Sequence, residues 1–373
     1  MITFDDIQFA FPGCPIPLDR ETGFLIGVYP GQGIGPEVIT VALDILRAAA
    51  RGTRHKFTIL FPDDTVVGQP EPGQTENGDV IAFCDTIFSR GGAVLAGPIG
   101  GRGVYNLRSH FDLFCKITPL CPAGALRDAG VIRTEVLEGV DILVVRENSG
   151  GVYMGRWSET TLGDDLVGTH SFHYSKAQVL RILRVAFKLA SRRRRRLTLV
   201  LKQGGMPSIS CVWTTALEEL APERNQVTVE ILEVDNAAFQ LIQAPRRFDV
   251  VVTGNLFGDI LSDCGGLLLG SRGMCFSGNF GTGGKAIFQT GHGAAHDIAG
   301  FDTANPVAQV HSLTMMLRTW FGLYTLAGRI ETGIQQVLAE GWRTPDIAAP
   351  GSKVVGTREL GRRIASKVEQ LNS

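Results

Sequence analysis

Residues 249–263 read Asp-Val-Val-Val-Thr-Gly-Asn-Leu-Phe-Gly-Asp-Ile-Leu-Ser-Asp, and this stretch joins an apolar strand to a helix. The strand is predicted at 249–253, and Asn255 stands near the N-cap of the helix that follows. Asp259 and Asp263 are then one turn apart on the same helix face. Paired carboxylates at the C-terminal end of a strand suit a hard divalent cation such as Mg²⁺ or Mn²⁺. Taken alone, however, two aspartates on one helix face are usually just solvated.

The segments on either side of this stretch alternate between strand and helix patterns. Ser175 is suited to be the N-cap of a helix predicted at 175–190. The C-terminal part predicts two long helices, near 307–326 and 357–371, and the Gly-rich stretch 265–284 is expected to carry a crossing between lobes. This alternation predicts an α/β chain with mainly parallel strand pairing. The other predicted strands are Phe24–Tyr29, 57–61, Ala93–Ala96, 140–145, 197–201 and 227–234.

The composition is that of an ordinary globular protein. The chain has 373 residues, 44% of them hydrophobic, which is enough for a large core and suggests two lobes. Thirty-six Lys and Arg against 37 Asp and Glu give a formal charge of −1, so no global field recruits nucleic acid or an anionic membrane. Residues 1–23 do not look like a signal peptide, and no apolar run is long enough to cross a bilayer. The expected location is therefore the cytoplasm.

Two further segments each allow a functional and a structural interpretation. Gly31-Gln-Gly-Ile-Gly-Pro-Glu37 joins a strand to a helix. Its glycines let backbone amides approach an anion or cofactor, but by itself it indicates only a tight turn. The run Arg192–Arg196 follows the helix predicted at 175–190, and the helix dipole favours a solvated basic C-terminus there. The competing interpretation of this run is a patch that binds nucleic acid or phosphate.

Two more segments carry polar residues after apolar runs. Arg146 and Tyr153 follow the strand predicted at 140–145, although a lone Arg and Tyr would more often be structural. Gly291-His-Gly-Ala-Ala-His-Asp-Ile-Ala-Gly300 is a loop of small residues and is followed closely by Asn305. Such a loop can wrap a flat ligand or be an ordinary surface loop.

The four segments, in this order, resemble the β-decarboxylating dehydrogenase family of isocitrate, 3-isopropylmalate, homoisocitrate and tartrate dehydrogenases. The resemblance runs from about Phe24 to the C-terminus, and the 255–263 motif is very specific to the family. It implies an α/β fold of two domains with the active site in the cleft between them, which differs from the Rossmann dinucleotide-binding fold. The implied large domain is discontinuous, 1–117 and 271–373, and holds the NAD-binding loops. The implied smaller domain, 118–270, holds the metal, substrate and dimer residues.

The resemblance also implies roles for individual residues. Arg108 and Arg146 correspond to the guanidiniums that grip the malate carboxylates of the substrate, for which the bidentate geometry of Arg is suited. Tyr153 resembles the acid that protonates the enol carbon after CO₂ leaves. Lys202 resembles the base that helps deprotonate the C2 hydroxyl, and Asp235 is assigned to the same catalytic group.

A metal site and a dimer are implied in the same way. Three carboxylates resemble the family's ligands for Mg²⁺ or Mn²⁺, and they are Asp235, Asp259 and Asp263. The cation would hold the hydroxyl and a carboxylate of the substrate and stabilise the enolate. Because the family equivalents of Lys202 and Asp235 reach into the partner's cleft, a homodimer with shared active sites is implied.

The loop after His292 implies NAD as the cofactor. The pair Asp297-Ile298 is similar to that of NAD-using members, whose Asp accepts hydrogen bonds from the adenosine ribose and would repel a 2′-phosphate. Asn305 resembles the adenine contact, and His292 resembles the residue that lines the adenine side of the loop. The predicted cofactor site is completed by the small residues Gly293, Ala294 and Ala295.

Several positions depart from the family. Thr118 stands where most members have an Arg, and Lys116 lies on the same face of the segment if the segment is extended, so it is the predicted substitute. The loop that reads the third substituent of the substrate contains Arg102 and Tyr105, which suggest a polar or anionic group. Val104 in the same loop argues for an apolar one.

These departures, together with Gly204 in place of a family Asn, predict a specialised member. The predicted reaction is NAD-dependent, metal-assisted oxidative decarboxylation of a 3-substituted malate with an unusual substituent. One alternative keeps the enzyme class with a conventional substrate: 3-isopropylmalate, isocitrate, homoisocitrate or tartrate. A second alternative, of a different class, is a catalytically weak relative that binds RNA or a protein partner through Arg192–Arg196.

Overall fold

The computed structural model describes residues 2–11, 23–62, 78–223 and 226–371 of the chain. Its strands are β1 (Phe24–Tyr29), β2 (Phe57–Leu60), β3 (Ala93–Ala96), β4 (Cys115–Leu120), β5 (Ile142–Glu147), β6 (Arg156–Leu162), β7 (Asp165–Ser171), β8 (Arg196–Leu201), β9 (Thr228–Glu233), β10 (Val250–Thr253), β11 (Phe276–Phe280), β12 (Ala286–Thr290), β13 (Trp342–Arg343) and β14 (Lys353–Val354). Its α-helices are α1 (Phe4–Ala10), α2 (Gly35–Ala50), α3 (Gly78–Ser89), α4 (Gly103–His110), α5 (Thr134–Leu137), α6 (Lys176–Ser191), α7 (Pro207–Glu219), α8 (Val234–Gln243), α9 (Asn255–Gly265), α10 (Val307–Thr319), α11 (Tyr324–Ala339) and α12 (Thr357–Gln370).

A single ten-stranded sheet runs through the molecule in the order β2-β1-β3-β12-β11-β4-β5-β10-β8-β9. Pairing is parallel in both outer parts, which confirms the predicted α/β class with mainly parallel strands. The centre is antiparallel, because β11 pairs antiparallel with both β12 and β4, and β4 pairs antiparallel with β5. This centre was not predicted. The sequence of β11, Phe-Ser-Gly-Asn-Phe, has too few apolar residues to resemble a buried strand.

The parallel strands form the core of the second half of the sheet. Every residue of β5 and of β10 is buried, as expected for strands of a parallel sheet covered on both faces. Beside them, α6 begins at the predicted N-cap, where the Ser175 hydroxyl accepts from the Gln178 backbone and the Gln178 side chain accepts from the Ser175 backbone. Both the strands and this helix start therefore follow from local sequence.

The C-terminal helices differ from the prediction at one place. The helix predicted over 307–326 is interrupted between α10 and α11, at a turn where Gly322 has a φ of 66°. Glycine adopts this left-handed backbone conformation without strain. The apolar spacing continues across the turn because Trp320, Phe321 and Leu326 are all buried, and for that reason the sequence resembles one unbroken helix.

The arginine run Arg192–Arg196 lies at the end of α6, and every residue in it except Arg193 is exposed, which agrees with the predicted solvated helix end. Two of its side chains are nevertheless held by the fold. The Nε of Arg193 donates to Oδ1 of Asp249 at 2.8 Å, and the side chain of Arg194 donates to the Phe248 carbonyl. Asp249 is completely buried, and a buried carboxylate needs a charged or hydrogen-bonding partner. These contacts use side chains that the RNA-binding alternative would need.

The implied division into domains stays a prediction. The boundary at 117/118 falls inside β4, in the centre of a sheet that is continuous from β2 to β9. The boundary at 270/271 follows α9, where the chain returns from the second half of the sheet to β11 at its centre.

Candidate active site

Three elements bring charged side chains to one point beside the sheet. β5 carries Arg146, the short 3₁₀ helix Val152–Met154 carries Tyr153, and α9 carries Asp259. The Nη1 of Arg146 donates to Oδ1 of Asp259, and the Tyr153 hydroxyl donates to Oδ2 of the same carboxylate at 2.9 Å. One aspartate therefore holds both the predicted carboxylate-binding guanidinium and the predicted acid.

Asn255, the first residue of α9, fixes the plane of the Arg146 guanidinium. Its side-chain oxygen accepts from Nε at 3.0 Å and from Nη2 at 2.7 Å. Its side-chain amide donates to the Gly150 carbonyl at 2.9 Å, and its backbone N–H donates to the Tyr174 hydroxyl at 2.8 Å. Asn255, Arg146 and Tyr174 are all buried, so this network is shielded from water. It links the helix of Asp259 to the loop that leads to Tyr153.

Asp259 and Tyr153 share a hydrogen bond, and their surroundings shift their pKa values in opposite directions. Burial alone would raise the pKa of Asp259, but the cations of Arg146 and Lys116 outweigh it and hold this pKa below its usual value. Burial and the hydrogen bond to Asp259 raise the pKa of Tyr153. Tyr153 therefore keeps its proton at neutral pH, as a general acid must.

Two further predicted cations lie beside Arg146 and are buried. Lys116 on β4 is the register partner of Arg146 on β5. Burial, followed by the charge of Arg146, lowers the pKa of Arg108 to about 9 and that of Lys116 to about 7. The Nε of Arg108 has no hydrogen-bond partner within the described ranges. Thr118, in place of the family Arg, is also buried. Cations gathered and desolvated in this way favour an anionic ligand such as a carboxylate.

The loop predicted to read the third substituent packs against the loop of Tyr153. The rings of Tyr105 and Tyr153 have centroids 5.3 Å apart. The Arg102 guanidinium lies 4.6 Å from the ring centroid of Trp157, and its Nη1 donates to the Tyr153 carbonyl at 3.1 Å. Val104 is partly buried beside them on α4. These contacts engage Arg102 with the protein, so its position lends no support to a direct contact with substrate.

Lys202 and Asp235 form a separate group. The Nζ of Lys202 lies 2.9 Å from Oδ1 of Asp235 and 3.2 Å from Oε2 of Glu233. Hydrogen bonds to these carboxylates raise the pKa of Lys202, and the bond from Lys202 lowers the pKa of Asp235. The Asp235 side chain is 71% exposed, in contrast to Asp259 at 40% and Arg146 at 2%. The structure thus pairs Lys202 with Asp235 in an open position, and their catalytic roles stay predictions.

The predicted metal ligands are divided between these two groups. Asp259 and Asp263 lie on α9, and Asp263 is paired with Arg272 at 2.7 Å. In the part of the chain that the structure describes, no three His, Cys, Asp or Glu side chains are grouped to hold a metal. Two carboxylates one turn apart fit Mg²⁺ or Mn²⁺ as one part of a site. The structure does not bring the third predicted ligand, Asp235, to these two, so the three-carboxylate site stays a prediction.

A cavity of about 340 Å³ lies where the sequence predicts the cofactor. It lies between the loop of His292 and the turn of Ile34, whose backbone N–H donates to the Ala294 carbonyl at 2.9 Å. A Cβ on Gly33 would come within 2.0 Å of that carbonyl oxygen, so this turn requires a glycine. The predicted residues that line the cavity are His292, Gly293, Ala295, Ile298 and Asn305.

The cavity offers polar groups to a ligand. The Nε2 of His292 is buried and has no hydrogen-bond partner among the described residues, and burial lowers the pKa of His292, so its ring is neutral. An unpaired buried nitrogen of this kind fits a bound nucleotide. Asp297, by contrast, lies in an exposed part of the loop. Its predicted contact with a ribose therefore stays a prediction.

Sequence analysis missed several residues of these sites. Asn255 was identified only as a helix start, and Tyr174 was not singled out at all. The two charged residues that line the cofactor cavity, Arg272 and Asp346, were also not singled out. Asp346 accepts hydrogen bonds from Ser271, Asn305 and Thr344. Tyr174, Arg272 and Asp346 lie outside the motifs and carry no periodic or spacing signal, and the contacts of Asn255 are made with residues distant along the chain, so only the tertiary structure reveals these roles.

Comparison with known proteins places the chain in a family. The isocitrate/isopropylmalate dehydrogenase family model matches residues 25–364. A 3-isopropylmalate dehydrogenase from Trichormus variabilis is 38% identical over 363 residues, which covers 93% of this chain and 99% of the relative. One from a Synechococcus species is 39% identical over 357 residues, covering 90% and 96%. The crystal structure of an isocitrate dehydrogenase from Methylococcus capsulatus superposes with a TM-score of 0.79 at 29% identity, covering 93% of this chain and 100% of that chain.

The chain therefore belongs to the isocitrate/isopropylmalate dehydrogenase family, and both the resemblance and the fold class inferred from the sequence are confirmed. Its class of activity is that of a decarboxylating dehydrogenase acting on a small molecule. None of the helices within the described residues is both long enough and apolar enough to span a membrane.

Proposed function

We propose that the chain catalyses NAD⁺-dependent oxidative decarboxylation of a 3-isopropylmalate-type 2-hydroxy acid. The observation that carries this proposal is the Asp259 carboxylate, which orients both Arg146 and Tyr153. The conventional substrate, treated above as the alternative, agrees better with the relatives than an unusual substituent does. The cytoplasmic location stays a prediction.

Substrate binding is assigned to the buried cations. Arg146 has three of its N–H groups engaged by Asn255 and Asp259, which leaves the other donors of a fixed guanidinium for a substrate carboxylate. Arg108 and Lys116 add positive charge at the same place, so a dicarboxylate is favoured over a neutral ligand. Tyr105 and Val104 stand beside them and would contact the third substituent.

Oxidation comes first in the proposed reaction. Asp235 and Glu233 hold the proton of Lys202, so the lysine would first leave these carboxylates and lose that proton. As the free base it would then take the proton of the C2 hydroxyl, while a bound NAD⁺ would accept the C2 hydrogen as hydride. When bound, the divalent cation polarises the hydroxyl, ketone and carboxylate oxygens of the substrate. Asp259 and Asp263 would hold this cation together with Asp235 of the partner subunit.

Decarboxylation follows because a ketone at C2 can accept the electron pair of the breaking C–C bond. The β-carboxylate leaves as CO₂, and the electron pair is delocalised into the enolate. The Tyr153 hydroxyl then gives its proton to the enol carbon. Its raised pKa keeps that proton available, and its hydrogen bond to Asp259 keeps the hydroxyl in one position.

A homodimer is proposed because the predicted base and the third metal ligand stand apart from the cluster they serve. Large apolar side chains are also exposed on α8, α9 and the β6–β7 hairpin, and they include Phe239, Ile260, Trp157, Leu162 and Leu166. A second copy of the chain would cover such a surface and bring its own Lys202 and Asp235 to the cleft.

The test is NADH formation by the purified protein with Mn²⁺ across a panel of 3-substituted malates that have apolar, carboxylate or phosphonate substituents. We expect 3-isopropylmalate to be the best substrate, with activity lost on chelation of the metal and in Lys202→Ala. A preference for a charged substituent would instead restore the unusual-substrate hypothesis. Absence of activity across the whole panel would contradict the proposal. NADP⁺ in a parallel series tests the cofactor, since Asp297 is expected to disfavour it.

A further inference from the structure

Arg272 lies between two sites that were treated separately above. It begins the 3₁₀ turn Arg272–Met274, whose N-terminus is capped by the Ser271 hydroxyl. Its Nη2 lies 2.7 Å from Oδ2 of Asp263, a predicted metal ligand. The same side chain lines the cofactor cavity together with His292 and Asn305. A single guanidinium therefore contacts a metal ligand and faces the cofactor cavity.

Electrostatics place the positive charge of Arg272 near both sites. Arg272 is the main cation that opposes the burial-driven rise in the pKa of Asp263. It also helps to lower the pKa of His292, after burial. The carboxylate of Asp346, in the same cavity, is held by the neutral donors Ser271, Asn305 and Thr344. Among the described residues, Asp263 is the carboxylate recorded in an ion pair with Arg272.

We propose that Arg272 couples the two sites: it neutralises Asp263 when no metal is bound, and it binds a phosphate of the dinucleotide when the cation takes Asp263. This inference rests on the proposed function. A divalent cation withdraws the Asp263 oxygen from the ion pair, and Arg272 then lacks a counter-ion at the wall of the cavity. The planar guanidinium matches the oxygen pair of a phosphate, so the cofactor diphosphate is the anion it fits.

The exchange requires little energy in either direction. The side chains of Arg272 and Asp263 are 60% and 43% exposed, and ion pairs in solvent of this kind are weak, so a ligand can separate them. The cation removes Asp263 from the ion pair, and the diphosphate binds the Arg272 that is released. Each ligand must therefore strengthen the binding of the other by the same factor. Because an exposed ion pair is weak, we expect that factor to be about two- to fivefold.

The coupling is measured by calorimetry on the intact protein, with ADP-ribose as the probe because it carries the diphosphate but cannot react. In the wild type, saturating Mn²⁺ should tighten ADP-ribose binding about two- to fivefold. In Arg272→Leu, ADP-ribose should bind more weakly and with the same affinity with and without Mn²⁺. Mn²⁺ alone should bind this variant several-fold more tightly, because the cation that competes for Asp263 is gone.

Arg47→Leu is the matched control. Arg47 forms an ion pair with Asp44 at similar exposure, 61% and 58%, but on α2 and within one helix. It should keep the wild-type coupling, and thermal unfolding should confirm that both variants are folded. A second series with D-malate in place of ADP-ribose tests whether the anion is instead a substrate carboxylate. Coupling that depends on Arg272 only in the malate series would overturn the assignment to the cofactor.

The remaining outcomes separate this inference from the function it rests on. If the wild type binds ADP-ribose but Mn²⁺ does not change its affinity, or if Arg272→Leu retains the coupling, the inference is wrong and the proposed reaction is untouched. If the wild type binds neither ADP-ribose nor NADH at any Mn²⁺ concentration, the proposed cofactor is wrong and the inference is overturned with it.

Discussion

The cluster around Asp259 and the pair of Lys202 with Asp235 are assigned to the same reaction, yet the chain stabilises them in different ways. Arg146 is 2% exposed, and its donors are engaged by Asn255 and Asp259. Asp235 is 71% exposed, and within the described ranges its ion pair is the one with Lys202. Both groups are ion-paired, but Arg146 in the first group is buried, whereas the pair of Lys202 with Asp235 is open to solvent.

This difference indicates which parts of the site a single chain can form. The Asp259 carboxylate, which Arg146 and Tyr153 share, keeps its geometry because the Arg146 guanidinium is buried and without this carboxylate would be an uncompensated charge out of water. An exposed ion pair is weak and easily rearranged, so Lys202 can change partners when another surface approaches. The comparison therefore predicts that the second group acts in a neighbouring subunit.

The largest expected effect comes from mixing two inactive variants, which tests whether Lys202 and Asp235 act in a neighbouring subunit. Lys202→Ala and Asp259→Asn should each lower kcat by about a thousandfold or more, because they remove the base and the carboxylate that orients the acid. If sites are shared, unfolding and refolding the two variants together should restore about a quarter of wild-type activity, since half of the dimers are hybrids with one intact site. No recovery, with each variant refolding to a dimer alone, would show that both groups act within one chain.

Replacing the predicted acid should have the next largest effect. Tyr153→Phe keeps the ring against Tyr105 but removes the hydroxyl, so protonation of the enol carbon should slow kcat by about a hundredfold. Substrate binding should change little. Steady-state rates with KM determination provide the measurement, and Tyr324→Phe on α11 is the control. A Tyr153→Phe variant with normal kcat would remove the acid from the cluster.

Removing a hydrogen bond that supports Asn255, and through it Arg146, should have a smaller effect. Tyr174→Phe deletes the acceptor of the Asn255 backbone N–H, which should destabilise the fold by about 1–2 kcal/mol. KM for the substrate should rise by several-fold because Arg146 is held less firmly. Urea unfolding and KM measure the two effects. A variant that loses stability with an unchanged KM would mean that Tyr174 supports only the fold.

The smallest predicted effect concerns the stability contribution of His311, a side chain with no charged partner among the described residues. It tests the effect of burial separately from the effect of ion pairing. His311 stacks on Phe276 at 5.1 Å, and burial alone lowers its pKa to about 4. As pH falls below about 6.5, His311 binds a proton in the unfolded chain but not in the folded chain. The free energy of unfolding therefore decreases until about pH 4. Between pH 7 and about 5.5, His311→Gln should lose about 1 kcal/mol less than the wild type in chemical unfolding. Equal losses would contradict the assignment.

Much of the fold was predictable because it depends on local patterns. The strands β1 and β3 match the predicted ranges, and α6 begins at its predicted cap, since apolar spacing and capping residues act over a few positions. The antiparallel centre was not predictable, because β11 is buried by its neighbours in the sheet and not by its own composition. The break at Gly322 was hidden by apolar residues on both sides.

The candidate site divides in the same way. The sequence by itself determined which charged residues are present and, through the family motif, that Arg146, Tyr153 and Asp259 belong together. Only the tertiary structure decided that Asn255 fixes Arg146, that Arg272 joins Asp263 to the cofactor cavity, and that Lys202 and Asp235 stay exposed. The reason is that hydrogen bonds and ion pairs between residues distant along the chain depend on how the elements pack. No local spacing records that packing.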